Sequence, residues 1–370
     1  MWQPGGWDQV PARPARRRRG LTLTVAGAAF ALAAGGTALA TAASGTAPLT
    51  TATIASRTDP GLVDITTTLG YQNGAAEGTG MVLTSSGEVL TNNHVIAGAT
   101  AIKVRDIGNG RTYTANVVGY SDTDDVAVLQ LQGASGLSTV PIGNSGSVNA
   151  GQKIVALGNA EGKGGTPAVA TGTVTGTGAA VTAEDEGSGA LEHLTGMIQT
   201  NAGIEPGDSG GPLVNSAGQV IGMDTAASTN GNSGGAGTTA AQSTIAFAIP
   251  IDRALSVAQQ IEAGTASSTV HIGSTAFLGV AVDSQASGFG QSQTAGASIA
   301  GVVQGSAAAQ AGLTQGDTIL SVGGHQISDS SDLQTVMQGY HPGDKVTVSW
   351  TDQAGQQHTA TVTLTTGPAA

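Results

Sequence analysis

The stretch IEPGDSGGPLVN, Ile204 to Asn215, places one serine, Ser209, between Gly207-Asp208 and Gly210-Gly211, with Pro212 and an apolar run after it. Two readings compete for a hydroxyl in surroundings so poor in side chains: a tight exposed turn, or a backbone arranged around a reactive oxygen. The letters match G-x-S-x-G, which in a strand–turn–helix setting is a nucleophile elbow. Here a strand-like segment follows instead of a helix. The histidines downstream, His271, His325, His341 and His358, fall in a linker or in a second compositional unit. The elbow reading fails on both counts. The second pattern is the arrangement in which histidine and aspartate precede the serine.

Outward from the serine, Pro60 to Ile251 is a succession of short apolar runs (TGMVLTS, AIKVRDI, DVAVLQL, KIVALGN, TIAFAIP) separated by Gly, Asn, Asp and Ser. Runs of this length and spacing, with no helical period between them, predict an all-β sandwich or barrel. DRALSVAQQIEA, Asp252 to Ala263, is the first helical candidate, with Leu255, Ala258 and Ile261 in step. Thr225 to Ser243 is rich in Gly, Ser, Thr and Asn and reads as a loop. A second unit starts near Ala276, and its five strand-like and two helical runs make a small α+β domain.

Composition excludes several functions. There is no cysteine, hence no disulfide, thiolate metal site or cysteine nucleophile. The histidines are scattered and none is paired at ligand spacing, so no metal is expected. No glycine-rich loop opens a helix, so no nucleotide cofactor is expected. The net charge is −12, and five of the thirteen basic residues, Arg13 and Arg16 to Arg19, lie in the first twenty positions. The remaining chain is therefore strongly acidic, which argues against nucleic acid as a partner.

Those arginines precede an uncharged segment, Leu21 to Ala43. It is long enough to span a bilayer, which takes about 20 apolar residues. Cytoplasmic arginines would then leave the body of the chain outside the cytoplasm. The rival is a cleavable signal peptide, with a break at Gly35-Gly36 and small residues at Ala38-Leu39-Ala40. Both readings export residues 59 onward. Ser44 to Thr58, small and polar, reads as a linker.

Two histidines precede the serine. His193, in AEDEGSGALEH, reads as a solvated loop residue, whereas His94, in VLTNNHVIAGA, directly follows a strand. Of Asp122, Asp124 and Asp125, only Asp125 immediately precedes an alternating apolar strand and is carried inward; the other two read as turn residues. A buried carboxylate needs partners, and the His94 ring would be one. Ser209 is a weak nucleophile unless His94 takes its proton. The oxyanion that forms needs donors already in place, which the backbone N–H groups of Gly207 and Ser209 supply.

TNNHVI, DDVAVLQL and GDSGGPLVN…GQVIGMDT…IAFAIP resemble the HtrA (Deg) family of trypsin-like serine proteases, and the second unit resembles the PDZ domain that follows the protease there. The resemblance covers residues 60–366. It implies a mostly β fold, a chymotrypsin-like double β-barrel over 59–262, a linker over 263–275 and a PDZ domain over 276–366. It also implies ATP-independent cleavage of unfolded or misfolded envelope proteins, with His94, Asp125 and Ser209 as the triad and, usually, a homotrimer. The specificity pocket falls on Gly203 and Ile204, walled by Ala246, Phe247 and Ala248. With no acid there, a small or medium aliphatic residue is expected before the scissile bond. FLGV, Phe277 to Val280, takes the place of the loop that receives a peptide C-terminal carboxylate. Gly176 to Thr195 resembles the loop that relays PDZ and subunit state. One departure stands out: the family has Asn before its serine, and this chain has Asp208. Three functions stay open: a protease for damaged proteins, a chaperone-like holdase, and a regulatory protease engaged through its PDZ domain. A non-binding packing domain is the alternative for the second unit.

Overall fold

A computed structural model describes residues 48–71, 74–184, 191–229, 244–283 and 296–369. Leu21 to Ala43 lies outside them; among the described residues no helix is long and apolar enough to cross a membrane. The chain enters through helix α1 (Thr51–Thr58). This corrects the reading of 44–58 as linker throughout. Thr50 caps the helix by accepting the Thr53 N–H, and Ile54 and Ala55 face inward. A capped turn with an apolar face is enough to order small polar residues.

Six strands form the first barrel: β1 (Leu62–Leu69), β2 (Gly74–Val82), β3 (Glu88–Thr91), β4 (Ala101–Asp106), β5 (Thr112–Ser121) and β6 (Val126–Leu131). All pair antiparallel in the order β5-β4-β1-β2-β3-β6, and β6 returns to β5 to close the ring. Alternation decides what points inward: in β4, Ile102 and Val104 are buried while Ala101, Lys103 and Arg105 are exposed. One short helix, α2 (Asn93–Ile96), leaves the end of β3.

The second barrel is closed by β7 (Lys153–Gly158), β8 (Ala168–Glu184), β9 (Leu191–Thr200), β10 (Pro212–Asn215), β11 (Val220–Thr229) and β12 (Thr244–Pro250). Ile198, Leu213, Ile221 and Ala248 fill its interior. Leu62, Met81 and Leu90 of the first barrel meet Leu157, Val214 and Met223 of the second in one apolar layer. Ile251, Ala254, Ala258 and Ile261 of helix α3 (Ile251–Glu262) cover this seam. Burying each leucine or isoleucine of this layer stabilises the contact by about 2 kcal/mol.

Two loop readings are corrected here. Gly176 to Thr195 is mostly paired strand, the arms of a β8–β9 hairpin with register shifts, and His193 lies on β9 with its Nδ1 2.8 Å from Thr182 Oγ1. β11 extends into the expected Thr225–Ser243 loop as far as Thr229, paired to β12; residues 230–243 lie outside the described ones. Polar, glycine-containing strands are invisible to an apolar-run criterion.

Past α3, β13 (His271–Ile272) pairs with Tyr120 and Gly119 of β5, so 263–275 is not a free linker either. The second domain contains β14 (Ala276–Phe277), β15 (Val280–Val282), β16 (Ala297–Val302), α4 (Ala307–Ala311), β17 (Thr318–Val322), β18 (His325–Gln326), α5 (Ser330–Gln338), β19 (Lys345–Thr351), β20 (Gln357–Thr363) and β21 (Thr365–Thr366). Its main sheet runs β15-β16-β17-β19-β20, with β15 at one edge. Ile299, Ile319, Val348 and Trp350 build a separate core.

Candidate active site

The serine loop crosses between the barrels. Gly207 and Gly210 have φ of +95° and +84°, and a Cβ would stand 2.3 Å from the Asn159 carbonyl oxygen at the first and 2.0 Å from that of Thr79 at the second. Only glycine meets both demands. Thr79 of β2 stitches this loop to the first barrel: its N–H donates to Ser209 O at 2.8 Å and its hydroxyl to Gly207 O at 2.7 Å. Thr91 Oγ1 in turn donates to Thr79 O at 2.7 Å.

His94 lies in the single turn of α2. Its backbone N–H donates to Asp125 Oδ1 at 3.0 Å, and its ring Nδ1 lies 3.0 Å from Oδ2. Asp125 is fully buried at the close of the turn after β5, with a φ of +50°. A non-glycine residue in that region costs about 1–2 kcal/mol, and three donors offset it. Two come from His94, and the third is the Thr225 hydroxyl, bonded to Oδ2. Thr225 is the extra residue of a β-bulge in β11, between Asp224 and Ala226. A bulge re-aims the residue it inserts. While its hydroxyl holds Asp125, its carbonyl accepts the Ser209 hydroxyl at 3.2 Å. His94, Asp125 and Ser209, distant in sequence, thus join one hydrogen-bonded cluster through Thr225.

The neighbouring acids lie in the turn as expected, and each is bonded there. Asp124 binds Arg253 of α3 at 2.9 and 2.6 Å. Asp122 accepts from Asn93 Nδ2 at 3.2 Å and from Gln338 Nε2 of α5 at 2.9 Å. Burial raises the Asp122 carboxyl, against the lowering effect of His271 and the Gln338 bond.

Around Ser209 the amides divide cleanly. Asp208 N–H donates to Glu205 O, Gly210 N–H to Asp224 O and Gly211 N–H to Asp208 O. Among the described residues, none accepts from the N–H groups of Gly207 or Ser209. Asp208 is buried, with Oδ2 accepting the Glu205 N–H at 3.0 Å, and burial pushes its carboxyl up to about 6.

The expected specificity pocket is not brought together as one wall. Ile204, Ala246 and Ala248 share the interior of the second barrel. Phe247, on the opposite face of β12, packs into the layer between the barrels, and Gly203 is exposed. None of these lines the cavity of about 370 Å³ beside the serine loop, whose walls include Gly158, Asn159, Glu161, Lys163 and Glu205.

In the second domain, Gly279 turns with a φ of +88°, and its carbonyl accepts from Val303 N–H at 2.9 Å. Leu278 is buried, while the half-buried Phe277 stacks on Tyr71 at 5.1 Å. Val280 opens β15, bonded to β16 on one side. No described residue accepts from the N–H groups of Leu278 and Gly279. No group of three or more His, Asp or Glu among the described residues is placed to hold a metal. Thr79 and Thr225 are the site residues that sequence reading misses. The one available signal is that Thr225 follows directly on GQVIGMD.

Residues 78–223 match a trypsin-like peptidase domain and residues 276–364 a PDZ domain. Serine protease PepD of Mycobacterium tuberculosis is 34% identical over 326 residues, spanning 84% of this chain and 65% of the relative. A probable periplasmic serine endoprotease, DegP-like, of Hahella chejuensis is 34% identical over 283 residues, 75% of this chain and 55% of the relative. Among solved structures, an HtrA-type protease, AlgW, with a tripeptide aligns at 32% identity over 87% of this chain and 99% of that one, with a TM-score of 0.48. The chain spans 65% and 55% of the lengths of the two curated relatives. The two matched domains, in this order, and the identity to these proteins place the chain in the HtrA (Deg) family, trypsin-like serine proteases followed by a PDZ domain.

Proposed function

We propose that the chain is an ATP-independent serine endopeptidase of the cell envelope that cuts unfolded or misfolded proteins. The observation that carries this is the bonded cluster of His94, Asp125, Thr225 and Ser209. Ser209 Oγ attacks the scissile carbonyl as His94 takes its proton, and Asp125 orients the ring and stabilises its charged form. The oxyanion is received by the N–H groups of Gly207 and Ser209. His94 then returns the proton to the leaving amine, and water releases the acyl group by the same steps. Digestion of unfolded casein by residues 45–370, beside the Ser209→Ala variant, tests the reading. Cleavage abolished by the substitution supports it; cleavage equal in both overturns it.

No acidic residue stands at Gly203 or Ile204, so the cut is proposed to follow Ala, Val, Ile or Leu. Mapped cuts after Lys or Arg would sink that assignment. The turn at Gly279 and the edge strand β15 support capture of a peptide C-terminus by strand addition. Free peptides should bind there and their C-terminal amides should not. Arg16 to Arg19 before an uncharged segment support a single membrane anchor with both domains outside the cytoplasm, in a homotrimer as is usual for the family.

One observation favours a second reading, a protease regulated through its PDZ domain. Gln338 of α5 binds Asp122, which binds Asn93 beside His94. Peptide ligands that change the casein rate would support it, and narrow substrate range would distinguish it from broad quality control.

A further inference from the structure

Beneath the nucleophile lie two acids that the chemistry above does not use. Asp224 is wholly buried on β11, and neither of its carboxylate oxygens has a hydrogen-bond partner. Asp208, one residue before Ser209, is buried with Oδ1 likewise unpartnered. The two belong to one knot of backbone. Gly210 N–H donates to Asp224 O, Asp224 N–H to Gly211 O, and Gly211 N–H to Asp208 O, each at 2.8 Å. A Cβ on Gly158 would stand 2.5 Å from Asp208 Oδ1, so that side of the acid is closed by β7.

No base answers these charges. Glu205 is the charged group acting on Asp208, and Asp208 is the one acting on Asp224; no Lys, Arg or His among the described residues does so on either. Two ionised carboxylates with only the Glu205 N–H as a donor repel each other and forfeit hydration. A single proton relieves both costs.

We propose that Asp208 and Asp224 are positioning residues that hold the serine loop while at least one of them carries a proton. The loop keeps its geometry from Gly207 to Ser209 while the pair is protonated at one site and loses it when both ionise. Asp208 is the lever. It lies between the two amides that face the oxyanion, so its movement toward water turns both N–H groups away. Burial and the charge of Asp208 raise Asp224 well above the ordinary carboxylate range, while Asp208 lies at about 6. A raised folded-state pKa contributes stability that is complete below the unfolded value and is lost as pH rises through the folded one. The protonated pair therefore belongs to the acid and neutral range.

The inference rests on the endopeptidase reading, and the test separates the two. Initial rates on casein are measured from pH 5 to 10 for the full chain and its Asp224→Asn and Asp208→Asn variants, with Ser209→Ala as the blank. The acid limb, where His94 is protonated, is common to all. On the alkaline side the parent should lose about tenfold per pH unit. Asp224→Asn and Asp208→Asn should each lack that limb, because in neither variant can two carboxylates ionise together. A limb identical in all three, or absent from the parent, overturns the proposal. A parent that cleaves at no pH overturns the endopeptidase reading instead, and melting then decides the pair. In the Ser209→Ala background, each Asn variant should gain melting temperature over the parent as pH rises. An offset constant with pH overturns the pair. Should Asp224→Asn not fold, Asp208→Asn carries both measurements.

Discussion

Gly207 and Thr225 show how single residues set the serine's surroundings. At Gly207 a methyl group would meet the Asn159 carbonyl at 2.3 Å on a backbone already at a φ of +95°. The positive φ alone costs about 1–2 kcal/mol for any other residue, and the collision adds to it. Gly207→Ala should therefore lower kcat about a hundredfold or more, the scale of losing one oxyanion donor. Casein rates and a melting curve on the same sample check that it remains folded. Thr225→Val removes one of three donors to Asp125 and leaves the carbonyl that holds Ser209. We expect kcat to fall about tenfold to a hundredfold with little change in KM, the mark of a bond used in the transition state. Asp125→Asn should be worse, about ten-thousand-fold, because the amide favours the wrong histidine tautomer. A steady-state series on one aliphatic peptide ranks all three.

At the scale of elements, β3 and α3 meet through two acids. Glu88 of β3 is pushed up to about 7, first by burial and then by Glu262 at the end of α3. The folded-state value exceeds the unfolded one, so this pair favours the fold below about 4.5 and the benefit is lost as pH rises through about 7. Glu88→Gln should then stabilise at pH 8 by about 1 kcal/mol, after discounting for partial exposure, and by little at pH 5. Urea midpoints at the two pH values read this directly. The same element logic explains the β8–β9 hairpin. Its arms are rich in Gly, Ala and Thr, yet pair over Val174 to Glu184 because the barrel supplies hydrogen bonds that propensity does not.

For the molecule as a whole, the segment between the domains is structural. Val270 is buried in the layer under α3, and β13 extends the first barrel's sheet by pairing with β5. His271 ties the second domain on, with Nδ1 3.0 Å from the Gln338 carbonyl and its ring stacked 5.1 Å from that of His341. Residue 369 reaches back as well: Ala369 N–H donates to Ala99 O at 2.8 Å. A protease unit ending at Ser274 should therefore melt several degrees above one ending at Gly264. Burying Val270 and part of Ile272 contributes about 2 kcal/mol, and a domain of this size gains about 2–4 °C per kcal/mol. Equal melting temperatures would mean that the segment is a tether.

The order of His94, Asp125 and Ser209, the glycines that let the serine loop turn, and the apolar runs of both barrels were legible in the chain. Each depends on residue type and spacing, which carry backbone freedom and periodicity directly. The partners of the two acids beside Asp125 were not, nor was the placing of Thr225. Asp122 meets Gln338 across 216 positions, and Thr225 meets Asp125 across 100. A bulge of one residue decides which way Thr225 faces, and no local propensity encodes it. The side-chain directions of β12 were not legible for the same reason: the strand alternates, so Phe247 and Ala248 face different cores, and only closure of the barrel determines which face is inside. Sequence determined the reactive groups and the strands that bear them; long-range packing decided which groups meet, because burial and hydrogen-bond closure belong to the assembled barrels.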